Sequence, residues 1–523
     1  MDEHHVNPDE LVTITRAEYQ ALQAQNEQLS QQVRWLMEQM RLARHKQFGS
    51  SSEKSQYDAI DLFNEPEFFA DQRVAEPELT QIQSHYRKKS TEKKDRLPLD
   101  LPVEVIKHFL PEEEQSCLEC NARLHIMGKE IRRELKLIPA KAIIVEHVQH
   151  VYACRECEKN ACSVPIIKAQ SPKPVIKGSF ASPEAVAHIM TQKFVNAMPL
   201  YRQEQDLNRS GIALSRQTMS NWLLTCAKNW LEPIYNILRE QLCAHSLIHA
   251  DETVLQVLHE PGKTAQSKSY MWLYRTGSDA KNPIVLYDYQ PDRKAKRPEE
   301  FLKRFAGYLQ ADGYAGYHSL PDKIIVVGCL AHARRKFDEA LKAVPEKDRP
   351  GSGAHRAKQY CDHLFDLERK WQDCSANERY EKRQELAKPV LDEFFAFLSN
   401  AKANPKSGFG RAVNYCIGQW KYLEKYLLDG RLEISNNRAE RSIKPFVIGR
   451  KNFMFSNTPR GATASAIIYS LVETAKENNC NPYAYLAYVL RNAPNVDISD
   501  TTVLQKLLPI NAPDECKINA VTN

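Results

Sequence analysis

The chain has 523 residues, which is too long for one hydrophobic core and predicts three or four structural units. Its 42% hydrophobic and 26% charged residues are typical of a soluble protein, and its net charge of +6 is too small to prove a polyanionic partner. The sequence has no long apolar run and no signal-peptide pattern, so we expect a cytoplasmic protein that keeps its cysteines reduced and contacts no membrane.

The first predicted element is a helix over residues 16–46, which contain no proline or glycine. Its side chains recur with the heptad spacing of a coiled coil, and a buried Asn at an a position favours a parallel pair. The pattern therefore favours self-association into at least a dimer over a lone amphipathic helix docked on its own protein. The a positions are Tyr19, Asn26, Val33 and Met40, and the d positions are Leu22, Leu29 and Leu36.

Residues 47–100 are rich in Ser, Glu, Lys, Asp and Gln and show no sustained hydrophobic period. We interpret them as a linker. Basic runs such as Arg87-Lys88-Lys89 indicate either a solvated surface or contacts to nucleic acid, and charge alone does not separate the two.

Two Cys-X-X-Cys pairs characterise the segment 101–170, with an alternating apolar stretch over 143–152 that predicts strands. Four thiolates can hold one tetrahedral Zn²⁺, which supplies folding energy to a small module. A thioredoxin-type redox site would need a single pair at a strand–helix junction. The predicted ligands of one structural Zn²⁺ are Cys117, Cys120, Cys154 and Cys157, with Cys162 as a substitute.

Three helices are predicted in the segment 175–240. Ser182 caps the first, Pro199 opens the second, and Ser215 caps a third that continues to about residue 230. Gly211 marks the turn of a helix-turn-helix pattern, a pattern that plain helical bundles also contain. The third helix begins with residue types that read base edges or bind phosphates, namely Arg216, Gln217 and Thr218.

The next part of the chain has the element order of an α/β sheet. Three strands are predicted over 245–258, 269–276 and 283–289, followed by a helix over 298–305 and strands over 308–311 and 324–328. This order is typical of a ribonuclease-H-like core, which we assign to residues 241–345 and 411–480. The second part contains predicted helices over 420–428, 437–449 and 464–476. Residues 346–410 have a helical composition and predict an insertion, and residues 481–523 form a C-terminal segment.

Three acidic residues are candidates for a metal site. Asp251 lies within a largely apolar strand, where a charge requires a partner or a metal, and Asp312 ends another apolar strand. Glu440 lies on the predicted helix 437–449 among basic residues. Brought together, their carboxylates can hold two divalent cations about 4 Å apart, and oxygen ligands suit Mg²⁺ or Mn²⁺. The sequence separations alone do not identify such a site.

Several stretches together resemble the transposases of the IS66 insertion-sequence family over almost the whole chain. They are KQFGSSSEK (46–54), the paired cysteine module, HADETVL (249–255), LQADGYAGY (309–317), AHARRKF (331–337), NNRAERSIKPFVIGRKNF (436–453) and YSLVETAKENN (469–479). The chain departs from the family pattern at Ser435, where an aspartate often stands, and in a C-terminal tail without the expected tryptophans.

The resemblance implies a cut-and-join enzyme with an Asp-Asp-Glu site on a ribonuclease-H-like fold with a helical insertion. The matching positions are Asp251, Asp312 and Glu440, with two Mg²⁺ or Mn²⁺ ions per active site. Basic side chains near them would bind DNA phosphates, and His332 would contact the scissile phosphate unless it is a core histidine. The basic residues are Arg334, Arg335, Arg441, Lys444 and Arg450.

The implied partners are the terminal inverted repeats of the element, target DNA and further copies of the chain, in a bacterial, nucleoid-associated setting. Small accessory proteins of the same element are a further partner that the resemblance suggests. Two alternatives stay open at this point, a DNA-binding regulator with a decayed nuclease fold and a structure-specific nuclease that cuts without joining.

Overall fold

The computed structural model describes residues 15–48, 142–153 and 166–518. The chain divides into two compact units, Met1–Ser51 with Pro172–Ile518, and Ser52–Ser171 with Asn519–Asn523. The candidate zinc ligands all lie outside the described residues; they are Cys117, Cys120, Cys154 and Cys157, and the substitute Cys162.

The described part of the smaller unit contains one antiparallel pair of strands, β1 (Val151–Ala153) and β2 (Ile166–Lys168). The prediction of strands over 143–152 is therefore wrong for residues 143–150. The side chains of Ile143 and Ile144 are 81% and 92% exposed, so neither face of this stretch is buried against a described core that could hold a strand.

The predicted N-terminal helix is confirmed as α1 (Arg16–Phe48). One face of α1 contacts the rest of the larger unit, since Trp35 Nε1 donates to the carbonyl of Lys406 at 3.3 Å and the Glu38 carboxylate accepts from the Gly408 amide. Another face carries the apolar heptad positions, which are exposed. They are Tyr19, Leu22, Leu29, Val33, Leu36 and Met40.

Three short helices follow, α2 (Pro183–Phe194), α3 (Leu200–Arg209) and α4 (Arg216–Cys226). Both predicted caps form, since Ser182 Oγ accepts from Ala185 N at 3.0 Å and Ser215 Oγ accepts from Thr218 N at 3.1 Å. The turn between α3 and α4 uses Gly211 at a φ of +77°, a conformation that favours glycine.

The third predicted helix ends as an α-helix earlier than expected. A π-helical turn over Ala227–Leu231 separates α4 from α5 (Glu232–Ala244) and ends two residues before Pro233. A proline inside a helix lacks the N–H group, and its ring crowds the carbonyl four residues earlier. A π-turn, which is wider by one residue than an α-helical turn, accommodates the proline ring. The π-turn Arg383–Ala387 stands in the same relation to Pro389.

The core sheet has five strands in the order β5-β4-β3-β6-β7. Within this sheet β4 pairs antiparallel with β3 and with β5, whereas β6 pairs parallel with β3 and with β7. A short helix, α6, follows β5 and ends before the predicted residue 305, because Leu302 leaves the helical conformation. The elements are β3 (Leu247–Gln256), β4 (Lys268–Thr276), β5 (Val285–Gln290), α6 (Lys296–Phe301), β6 (Gly307–Gln310) and β7 (Ile324–Val327).

A helical layer with its own hydrophobic core follows β7 and includes the predicted insertion. Its helices are α7 (Leu330–Lys342), α8 (Gly353–Lys370), α9 (Ala376–Lys382), α10 (Lys388–Ser399) and α11 (Gly408–Leu423). Arg383 is fully buried there and binds both carboxylate oxygens of Glu368 at 2.7 Å. It also donates to three carbonyls of the segment that leads out of the insertion, those of Tyr426, Asp429 and Leu432.

Four more helices complete the larger unit, α12 (Asn437–Phe453), α13 (Pro459–Glu477), α14 (Pro482–Asn492) and α15 (Thr501–Gln505). Helix α13 covers the edge strand β5. Ser470 Oγ accepts from Tyr287 N at 2.7 Å and Thr474 Oγ1 accepts from Val285 N at 3.0 Å, so side-chain hydroxyls satisfy amides that would otherwise be unpaired. Within the described residues, no helix is both long and apolar enough to cross a membrane.

Candidate active site

The two aspartates meet because β3 and β6 run parallel in a fixed register. His249 on β3 is the Cα partner of Gln310 on β6. Asp251 and Asp312 each lie two residues beyond this pair, so the same register brings them side by side as the chain leaves β6. Because side chains on a strand repeat every second residue, His249 and Asp251 share one face of the sheet.

The start of α12 is fixed to this face by Asn436, which is fully buried. Its Nδ2 donates to the carbonyl of Ala250 at 2.7 Å, and its Oδ1 lies 3.2 Å from His249 Nδ1. Burial lowers the pKa of His249 to about 4, so the neutral ring donates through Nδ1 to the amide oxygen. The backbone N–H of Asn436 donates to Sγ of Cys329, the residue directly before α7, at 3.1 Å. Through its side chain and its backbone N–H, Asn436 thus ties together the elements that carry Asp251, His332 and Glu440.

Glu440 lies one turn into α12, where its amide donates to the carbonyl of Asn436 at 3.2 Å. Its electrostatic effect reaches Asp251. Burial raises the pKa of Asp251 well above its usual range, and the carboxylates of Glu252, Asp312 and Glu440 raise it further. The carboxylates of Asp312 and Glu440 thus lie near enough to Asp251 to raise its pKa, and the three form the candidate group.

The donor set of this group fits a divalent cation. Carboxylate oxygens are the ligands that Mg²⁺ and Mn²⁺ prefer, and several like charges in a buried site need a counter-charge. Glu440 Oε1 is buried and has no hydrogen-bond partner in the part of the chain that the structure describes. Asp251, Asp312 and Glu440 are the residues that would hold such ions.

A fourth acidic residue, Glu252, was not assigned a role from the sequence. Its side chain is buried and accepts from Arg293 Nε at 2.8 Å and from the Tyr317 hydroxyl at 2.6 Å. The Arg293 guanidinium also stacks 3.9 Å from the ring centroid of Tyr314, whose amide donates to Asp312 Oδ1. Glu252 thus holds the loop that positions Asp312. The only sequence signal was a second charge inside the apolar strand.

The basic residues predicted to bind phosphates occupy different environments. Arg441 and Lys444 on α12 are exposed, whereas the Arg450 guanidinium donates to Thr253 Oγ1 at 3.0 Å and to the carbonyl of Val254. Arg334 pairs with Asp362 at 2.5 Å, and Arg335 Nη2 lies 3.5 Å from Glu440 Oε2.

The helix-turn-helix candidates lie at the start of α4. Arg216 and Gln217 are exposed, whereas Thr218 is half-buried with its hydroxyl 2.9 Å from Ser215 Oγ. The Arg216 side chain lies over the Tyr201 ring, 5.5 Å from its centroid, and 3.9 Å from a carboxylate oxygen of Glu204.

The fold and the carboxylate group define a mixed α/β protein with a candidate divalent-metal site, and comparisons with known proteins place it in the transposase class. The family described as "Transposase IS66 family" matches residues 178–464, and the "IS66 C-terminal element" matches residues 470–510. The "zinc-finger binding domain of transposase IS66" matches residues 114–158, and "Transposase C of IS166 homeodomain" matches residues 35–106. The chain belongs to the IS66 transposase family.

Two similar proteins come from Sinorhizobium fredii. The chain is 31% identical to its uncharacterized protein y4jD over 432 residues, which cover 79% of this chain and 81% of that protein. It is 29% identical to the uncharacterized protein y4hP over 412 residues, or 75% of this chain and 73% of that protein.

The two N-terminal matches bear on residues that lie mostly outside the described ranges. The zinc-finger match contains both cysteine pairs and ends before Cys162, and it indicates Zn²⁺ as a cofactor. The homeodomain match spans the whole stretch that composition led us to interpret as a linker, and together with the transposase match it implies DNA as a partner.

Proposed function

We propose that the chain is a DNA transposase that binds the ends of its element and catalyses metal-dependent strand cleavage and strand transfer. The observation that carries this proposal is the convergence of Asp251, Asp312 and Glu440. The parallel register of β3 and β6 pairs the aspartates, and Asn436 fixes the start of the helix that carries the glutamate.

The sheet supports a ribonuclease-H-like core. Numbered from β3, its strands have the spatial order 3-2-1-4-5, with the first three antiparallel and the last two parallel to strand 1. The proposed site lies at the middle of the central strand β3, where Asp251 stands, and just beyond the carboxyl end of β6, where Asp312 stands. Ligand sites commonly occur at the carboxyl ends of parallel strands, where chain direction leaves side chains convergent and uncovered.

In the proposed reaction, Asp251, Asp312 and Glu440 would hold the two cations. Bound cations of this kind activate an attacking water or 3′-hydroxyl and stabilise the leaving oxygen of an in-line displacement. Glu252 and Arg293 hold the Asp312 loop, and Arg335 orients Glu440 through their ion pair.

We propose that DNA binds two exposed polar surfaces, one on α12 and one at the start of α4. Arg441 and Lys444 would bind phosphates beside the site, and Arg216 and Gln217 at the start of α4 are placed on an exposed helix end. The exposed heptad face of α1 would pair with a second copy of the chain, because its docked face leaves the apolar positions free.

The test is strand cleavage and joining on labelled DNA that carries the element's terminal repeat, with Mg²⁺ and any accessory proteins supplied. We expect wild type to nick and join, and Glu440→Ala to bind the DNA without doing either. Cutting without joining by wild type would favour the structure-specific nuclease. If wild type binds but never cuts, the chain is a regulator and the proposed site is wrong.

A further inference from the structure

Cys329, His332 and Glu440 form a cluster of side chains with mixed ligand chemistry. The thiol sulfur, a ring nitrogen and a carboxylate oxygen all lie within 4.8 Å of one another. Cys329 directly precedes α7, His332 lies in the first turn of α7, and Glu440 lies in the first turn of α12. The bond between the Asn436 amide and Cys329 Sγ holds the starts of both helices together.

Two atoms of this cluster are buried without a hydrogen-bond partner among the described residues, His332 Nδ1 and Glu440 Oε1. They lie 3.8 Å apart. Buried polar atoms in native structures nearly always have a partner, so a neighbouring pair of unpaired atoms calls for an ion or a water. A neutral imidazole nitrogen has a lone pair that a cation can use.

We propose that Cys329, His332 and Glu440 form a binding site for a Zn²⁺-class ion, whose occupation withdraws Glu440 from the carboxylate site. The inhibitory part of this inference rests on the proposed function, whereas the binding part stands on the cluster alone. Thiolate, imidazole and carboxylate are ligands of Zn²⁺, and three of them leave a fourth position for water. Mg²⁺ is a hard cation that does not use sulfur, so this site separates the two metals by ligand chemistry.

The geometry needs only a small contraction. Zn–S and Zn–N bonds of about 2.3 and 2.1 Å place the ligand atoms of a tetrahedral site roughly 3.5 Å apart. The ligand atoms of this cluster lie within 4.8 Å of one another, so they would have to move closer by about 1 Å at most. Burial raises the pKa of the Cys329 thiol to about 11, so the sulfur carries its proton in the free protein. Binding forms the S–Zn bond and releases that proton to solvent.

The first experiment counts Zn²⁺ per full-length chain after equilibrium dialysis, by elemental analysis. We expect wild type to hold one more equivalent than Cys329→Ser and than His332→Asn. Cys226→Ser is the matched control, because Cys226 is also a buried thiol and lies in α4, and it should hold as much as wild type. Comparing variants cancels the Zn²⁺ of the N-terminal module. Equal counts in all four folded proteins would overturn the proposal.

The second experiment measures, for each protein separately, the Zn²⁺ concentration that halves its own Mg²⁺-supported strand cleavage. We expect this concentration to rise at least about tenfold in Cys329→Ser and to stay unchanged in Cys226→Ser. An unchanged value in Cys329→Ser would overturn the inhibitory role. If no protein cleaves DNA at all, the proposed function fails, and the Zn²⁺ count still decides whether the site exists.

Discussion

Replacing Asn436 by alanine tests the arrangement that brings Glu440 to the aspartates. The variant removes the donor to the Ala250 carbonyl and the acceptor for His249 Nδ1, both of which are buried. Each buried group left without a partner costs about 1–3 kcal/mol, so we expect the free energy of unfolding to fall by about 2–6 kcal/mol. His249 Nε2 already lacks a hydrogen-bond partner among the described residues, so the ring would then lose both.

The assay is urea denaturation followed by circular dichroism, with Mn²⁺ affinity measured on the folded protein by electron paramagnetic resonance. Asn437→Ala is the matched control, because Asn437 is half-buried and its side chain forms no hydrogen bond with the residues that the structure describes. We expect the control to unfold and bind Mn²⁺ much as wild type does. If Asn436→Ala matches the control in both measurements, Asn436 does not position the site.

Three further predictions concern charge. In metal-free protein, Asp251→Asn should be more stable than wild type at pH 8 but not at pH 4 in urea denaturation. Because the pKa of Asp251 is raised in the folded protein, its contribution to the free energy of unfolding is lost as the pH rises from about 4 through the folded-state pKa. The same dependence of stability on pH in both proteins would refute this. Arg383→Met should cost about 3–5 kcal/mol by the same assay, because it strands the carboxylate of Glu368, and a smaller loss than about 1 kcal/mol would contradict the buried pair. Arg441→Ala should lower the slope of log affinity for DNA against log salt by about 0.9, whereas Arg450→Ala should chiefly reduce stability.

Local patterns predicted the elements of the larger unit well. Ser182 and Ser215 identified two helix starts because a cap is decided within three residues. The five strands were predicted in the right order because apolar runs bounded by turn residues are also a local signal. The helix ends were less accurate, since a π-turn interrupts the third predicted helix before Pro233 and α6 already ends at Phe301.

The candidate site was only partly accessible from the sequence. Their local settings made the three carboxylates candidates and the family resemblance selected them, but the register of β3 against β6 is a tertiary feature that sequence spacing does not give. The contact of Asn436 with His249 joins residues 187 positions apart, and no local pattern predicts it. Arg450 was expected to bind phosphate because it is basic, yet its guanidinium is bound to β3.

The most direct test of the account is a search for one cation site shared by Asp251, Asp312 and Glu440. Fe²⁺ in place of Mg²⁺, with ascorbate and peroxide, generates hydroxyl radicals that cut the backbone next to the bound ion. We expect cuts near all three residues in wild type, and their joint loss in Asp251→Asn. Cuts near one residue alone, or cuts that persist in the variant, would contradict a shared site.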